Sequence, residues 1–234
     1  MVKKFSNILA FGDSHVAGCE LTDIAGLSAY LEGRISLEEA DWPGKQLAFP
    51  QIVAEHLDIP CHNFAMTGGS NDRSIRRLCN AAKEFPNSLV LFCYTCTDRT
   101  EFYYPDDGTY LGRDNFKFMQ VGMQWTGHIE HFIKRSPMTH PINKTFVKEI
   151  LRPYNNLEQM MFLAETICMR YNCNVMHIPL FPEELPEGYK CLDFEGYGNY
   201  LSWAEAKKFK KLAHLHYDLA AHKAFADLII KELE

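Results

Sequence analysis

Three observations predict an α/β fold with a mostly parallel sheet covered by helices on both faces. Short apolar runs recur along the chain, amphipathic helical patterns stand between them, and no internal repeat or low-complexity tract interrupts the alternation. A parallel pair of strands needs a crossover, and a helix is the usual one.

The elements follow in order. "NILAF" (7–11) is the first strand, an apolar run cut off by Gly12 and Asp13. The opening "MVKKFSNILAFGDSH" has two lysines but only a brief apolar run, so it is expected to be strand rather than a signal peptide. "FPQIVAEHL" (49–57) is a helix, "CHNFA" (61–65) a strand and "DRSIRRLCNAAKEF" (72–85) a helix. "SLVLFCY" (88–94) reads as a buried strand, "YNNLEQMMFLAETICMRY" (154–171) as a helix and "CNVMHIPLF" (173–181) as a strand. "DLAAHKAFADLIIKEL" (218–233) closes the chain as an amphipathic helix. Two stretches break the alternation, 20–46 and 99–150, the second rich in aromatics and glycine. Loops this long are expected to be functional lids or contact surfaces, or else helical insertions packed on the core.

The chain has 234 residues, 47% hydrophobic and 23% charged, which fits a single domain over 1–234 with insertions at about 20–46 and 102–150. A net charge of -6 argues against a nucleic-acid partner, and no apolar stretch is long enough to span a bilayer. Eight cysteines are scattered singly apart from the lone C-x-x-C of Cys93 and Cys96. Buried free thiols in a reducing, cytoplasmic setting are the expectation.

In a parallel α/β sheet, ligands gather outside the carboxyl ends of the strands. Ser14 stands at such an end, followed by the small residues Ala17 and Gly18, which permit a sharp turn. It reads either as an exposed nucleophile or, with Asp13, as a helix cap. After the second strand, Thr67, Gly68, Gly69, Ser70 and Asn71 form a turn opening a helix. Glycine there frees backbone N–H groups that could hold an oxyanion, although an ordinary strand-to-helix turn has the same look. Near the C-terminus His214, His216 and His222 surround Asp218. His222 lies on the apolar stripe of its helix and reads as a packed histidine donating a hydrogen bond. His216, on the loop before that helix, is freer to act as a general base. A metal site built from His214, His216 and Asp218 is a minor alternative.

These segments resemble the SGNH (GDSL-type) hydrolases, and the pairs Trp42-Pro43 and Arg99–Glu101 are most like versions carried by large bacteriophages. "FGDSHVAG" resembles the first block of that superfamily and "NFAMTGGSN" the second. "SLVLFCYTCTDR" falls where the third block should lie, and "HYDLAAHKAFA" resembles the last. "DWPGKQLAFPQIVAEHL" (41–57) resembles the family's first helix. The resemblance implies a three-layer, flavodoxin-like α/β/α fold, with Ser14 as nucleophile, His216 as base, and the Ser14 and Gly68 amides in the oxyanion hole. Thr97 stands where the family's oxyanion-donating asparagine is usual, Thr95 where a glycine is usual, and Ala213 where an aspartate three residues before the histidine is usual. Asp13, Asn71, Arg99 and Asp218 are possible supporting residues.

The implied activity is hydrolysis of a small carboxylic ester or an O-acetyl group through an acyl-enzyme. It needs no cofactor and no metal, and its partner is a small-molecule or sugar ester rather than nucleic acid or membrane. If the chain is phage-encoded, the host cytoplasm is the expected location. The departures at Thr97 and Ala213 keep a second reading open: a catalytically impaired binding or structural protein on the same scaffold.

Overall fold

The structure is a computed structural model that describes residues 4–22, 37–97, 99–103, 118–122, 157–213 and 216–234. Four strands form a parallel sheet: β1 (Ile8–Phe11), β2 (Cys61–Asn63), β3 (Leu89–Tyr94) and β6 (Asn174–Pro179), in the order β2-β1-β3-β6. The register sets Ile8 beside Leu89 and Phe11 beside Phe92, then Leu89 beside Asn174 and Tyr94 beside Pro179. Strands of period two send alternate side chains to opposite faces. Ile8, Ala10, Leu91 and Cys93 therefore enter one apolar core, and Leu9, Phe11, Val90 and Phe92 the other. Every residue of β1 and β3 is buried, which is why both read as uninterrupted apolar runs.

Helices cover both faces. On the first lie α3 (Phe49–Leu57), α6 (Tyr200–Ala206) and α7 (Leu219–Leu233), contributing Phe49, Val53, Trp203, Phe225 and Ile229. The Phe225 ring lies tilted at 4.1 Å from Phe49 and stacks at 4.7 Å on Tyr200, ring centroid to centroid. A phenylalanine so enclosed stabilises the fold by about 1.5–3 kcal/mol through burial alone. On the second face α4 (Asn71–Glu84) supplies Leu78 and Ala82, and α5 (Leu157–Arg170) supplies Met161 and Ala164. The α/β/α prediction is borne out, with strand and helix limits within a few residues of the expected ones.

The two irregular stretches hold structure of their own. The first contains α2 (Leu37–Lys45), separated from α3 by a short break at 46–48; the helix read at 49–57 is α3 itself, and the wider stretch 41–57 likened to the family's first helix also takes in the end of α2. Pro50 at the start of α3 explains the restart, since its missing N–H is an orphan in a first turn anyway. In the second, β4 (Arg99–Tyr103) and β5 (Phe118–Gly122) pair antiparallel as a separate two-stranded ribbon, rather than as loop or helix. Residues 23–36, 104–117 and 123–156 lie outside the described residues. No helix among the described residues is long and apolar enough to cross a membrane.

The sheet order places the sequence-adjacent pair β1 and β2 on one side and β3 with β6 on the other. The strand order thus reverses between β1 and β3. The crevice at such a switch point, outside the carboxyl ends of the strands, is where α/β sheets bind ligands. Ser14 follows β1 and Thr95 follows β3.

Candidate active site

β1 ends at Phe11, and the chain turns through Gly12 and Asp13 into a single helical turn, α1 (Ser14–Ala17). Asp13 is fully buried and ties this turn in two directions. One carboxylate oxygen accepts the His15 amide at 3.0 Å, and the other accepts the Thr95 hydroxyl at 3.0 Å. The cap anticipated for this turn is therefore Asp13, which leaves the Ser14 hydroxyl available for other contacts.

Ser14 uses it toward His216. Ser14 Oγ lies 2.8 Å from His216 Nε2, and both residues are 8% exposed. They are separated by 202 positions in the chain. His216 sits on the loop just before α7, as expected. Its other ring nitrogen, Nδ1, lies 2.7 Å from a carboxylate oxygen of Glu20. His15, next to the serine, packs its ring 4.8 Å from that of His216 and 5.8 Å from Phe181.

The turn after β2 abuts the serine turn. The Met66 amide donates to the Gly12 carbonyl at 3.3 Å, and a Cβ built on Gly69 would lie 2.6 Å from that carbonyl oxygen. Only glycine permits this approach. Gly68 adopts φ 74°, with open space where a side chain would be. Among the described residues, neither the Ser14 nor the Gly68 amide donates to a protein acceptor. Ser70 then caps α4, accepting the Arg73 amide at 3.3 Å.

The remaining expected site residues fall in different places. Asn71 makes a two-way amide pairing with Thr95: its Nδ2 donates to the Thr95 carbonyl at 3.0 Å, and its Oδ1 accepts the Thr95 amide at 2.9 Å. It braces the end of β3 against α4. Both the amide and the hydroxyl of Thr97 donate to one oxygen of Glu183, at 2.7 and 3.2 Å. Asp218 caps α7 by accepting the Ala221 amide at 3.1 Å, and His216 turns its Nδ1 to Glu20 instead. His222 is packed, as expected, but its Nδ1 accepts the Phe49 amide at 3.2 Å rather than donating. Burial, followed by the nearby His15 and His216 rings, pushes its pKa down to about 3. Arg99 opens β4, and its side chain lies outside the described residues, as does His214. Cys93 and Cys96 are buried free thiols, and burial, with the charge of Asp13 second, holds the Cys93 thiol well above its usual range.

Glu20 was not foreseen. It belongs to the long stretch after β1 that carries no motif, and no spacing rule links it to a histidine 196 positions away.

No protein-family model matches the chain, and no curated protein matches it. Among solved structures it is similar to the psychrotrophic esterase EstA from Pseudoalteromonas, at 12% identity over 97% of this chain and 96% of that one, with a TM-score of 0.38. An α/β hydrolase enzyme from the metagenome of Lake Arreo matches at 14% identity over 97% and 94%, TM-score 0.38. A carbohydrate esterase matches at 16% identity over 97% of this chain and 67% of that one, TM-score 0.36. The fold assignment stands on this chain's own sheet order.

Proposed function

We propose that this protein is a serine hydrolase acting on an ester, either a small carboxylic ester or an O-acetyl group. The observation that carries the reading is the 2.8 Å contact of Ser14 Oγ with His216 Nε2 at the β1/β3 switch point. A hydroxyl is a weak nucleophile until a positioned base takes its proton, and this pair has the required reach.

The reaction runs in two halves. Ser14 Oγ attacks the carbonyl carbon while His216 Nε2 takes the hydroxyl proton. The carbonyl oxygen becomes an oxyanion, held by the Ser14 and Gly68 amides. The intermediate collapses, the carbon–oxygen bond to the alcohol breaks, and His216 returns the proton to the leaving alkoxide. The acyl group stays on Ser14. Water then attacks it, giving its proton to His216, and the carboxylic acid leaves as Ser14 recovers its hydrogen. A fluorophosphonate probe tests the nucleophile: wild type is expected to be labelled and Ser14→Ala not. Equal labelling of both places the reactive group elsewhere.

Thr97 is not needed as a third oxyanion donor. A hydroxyl carries one proton, and here it goes to Glu183. Thr97→Val keeps the shape of the side chain and removes only the hydroxyl. Its kcat with p-nitrophenyl acetate is expected to stay within about threefold of wild type. Removing a true oxyanion donor costs about 100–1000-fold, so a fall of that size would put the Thr97 hydroxyl on the transition state.

A further inference from the structure

A general base works only if its ring is held in one orientation and one tautomer. For His216 to accept the Ser14 proton at Nε2, its own hydrogen must sit on Nδ1, and the partner of Nδ1 fixes this. The expected aspartate position is occupied by Ala213, which has no side-chain acceptor. Asp218 is committed to capping α7. The atom that meets Nδ1 is an oxygen of Glu20 at 2.7 Å, a length typical of a charge-assisted hydrogen bond. Both side chains are nearly enclosed, with 6% of Glu20 and 11% of His216 exposed.

The local backbone explains how a residue six places after the serine reaches the far side of its histidine. α1 ends on Gly18 at φ 69° and ψ 35°, and the Cys19 amide returns to the Ser14 carbonyl at 3.0 Å. Glu20 itself has φ 68°, a left-handed conformation that a residue with a Cβ adopts only when its surroundings impose it. Two left-handed residues within three fold the chain back toward the histidine. The turn is clamped from outside by α2. A Cβ on Gly18 would lie 2.4 Å from the Gly44 carbonyl oxygen, and a Cβ on Gly44 would lie 2.3 Å from the Gly18 carbonyl oxygen. The two backbones touch, leaving the turn no room to relax.

We propose that Glu20 is the positioning acid of this site, orienting His216 from the nucleophile's own chain segment. The inference rests on the ester-hydrolase reading for its kinetic consequence, and on the Glu20–His216 geometry alone for its spectroscopic one. The alternative role for Glu20 is a buried carboxylate that merely uses the imidazole as a partner, without influence on the proton's position.

The experiment compares wild type, Glu20→Gln and Glu20→Asp. Kinetics use p-nitrophenyl acetate, and the His216 tautomer is read by nitrogen-15 NMR on histidine-labelled protein, assigned with His216→Ala. Thermal melts confirm folding. Glu20→Gln is expected to lower kcat by about 100–10,000-fold with KM within threefold, because an uncharged partner lets the ring adopt the wrong tautomer. Its NMR spectrum should show a mixture where wild type shows the Nδ1–H form. Glu20→Asp keeps the charge and should recover at least tenfold over Glu20→Gln. A Glu20→Gln enzyme with kcat within threefold of wild type and an unchanged His216 tautomer overturns the proposal. If wild type shows no turnover that depends on Ser14, the ester-hydrolase reading fails, and the spectrum alone decides. An unaltered tautomer in Glu20→Gln then overturns the role of Glu20, and a mixture upholds it. Should Glu20→Gln not fold, the wild-type tautomer and Glu20→Asp carry the test. A His216 in the Nε2–H form, or an Asp variant no different from His216→Ala in rate, overturns it.

Discussion

Ser14→Ala and His216→Ala are each expected to lower kcat/KM for p-nitrophenyl acetate by about 10,000-fold or more, and the double variant is expected to be no worse than either single one. On the proposed reading the serine supplies the bond-forming atom and the histidine moves its proton, so removing either disables the same step. Groups that act as one unit give strongly non-additive losses of this kind, reaching on the order of a millionfold in kcat for a serine protease. The measurement is initial rate against substrate concentration for the four proteins, with thermal melts to confirm folding. Both residues are buried, at 8% exposure, and hydrogen bonds join Ser14 to His216 and His216 to Glu20. Ser14→Ala removes one hydroxyl and its melting temperature should change little, whereas His216→Ala takes the imidazole from the enclosed Glu20 carboxylate and should melt lower. Single variants that keep rates within tenfold of wild type would remove the acyl-transfer reading, and with it the oxyanion role of Gly68.

The second large effect concerns acid. His222 titrates at about 3 in the folded protein, and an unfolded chain titrates it at about 6.5. Between those values the unfolded chain binds a proton that folded His222 refuses, so stability rises with pH over that window. Its contribution is complete above about pH 6.5 and declines as pH falls toward 3. The slope is about 1.4 kcal/mol per pH unit. His222→Asn retains an acceptor for the Phe49 amide but has nothing to titrate. Between pH 6.5 and 5, wild type should lose about 2 kcal/mol more stability than this variant, read from urea unfolding at both pH values. Equal losses would mean that the ring is already protonated, or solvated, in the folded state. The physical reason for the shift is that the ring is 1% exposed between α3 and α7, where a charge would have no water around it.

The sheet was legible in the chain because its strands are buried on both sides. "NILAF" and "SLVLFCY" are apolar at every step, and a continuous short run can hardly be anything but a central strand when helical periods stand on each side. Ser14 and His216 were legible because each has a local setting: a strand end with small residues after it, and a loop just before an amphipathic helix. The ribbon of β4 and β5 was not, because residues 104–117 separate its strands, far more than a usual hairpin loop, so the Asp107-Gly108 turn signal does not abut both strands. Glu20 was hidden for a different reason. Its position depends on two left-handed residues and on a backbone contact between Gly18 and Gly44, which are 26 places apart. Periodicity describes one element at a time and says nothing of such a contact. Thr97 was legible as an unusual residue, but its commitment to Glu183 depends on the path of the chain after β6.

The 202-position gap between Ser14 and His216 gives the site a temporal meaning. Ser14 and Glu20 sit within seven consecutive residues, on a turn that α2 holds through Gly44. The histidine arrives from the far end, carried by the segment that docks α7 on α3 through Phe49, His222 and Phe225. Closing so long a loop costs more than closing a short one, although the cost grows only slowly with length. On the proposed reading, a newly synthesised molecule therefore has no base for Ser14 until its C-terminal segment arrives. On that reading, a chain kept from docking its last helix would lack both that face of the core and the base, and would stay silent.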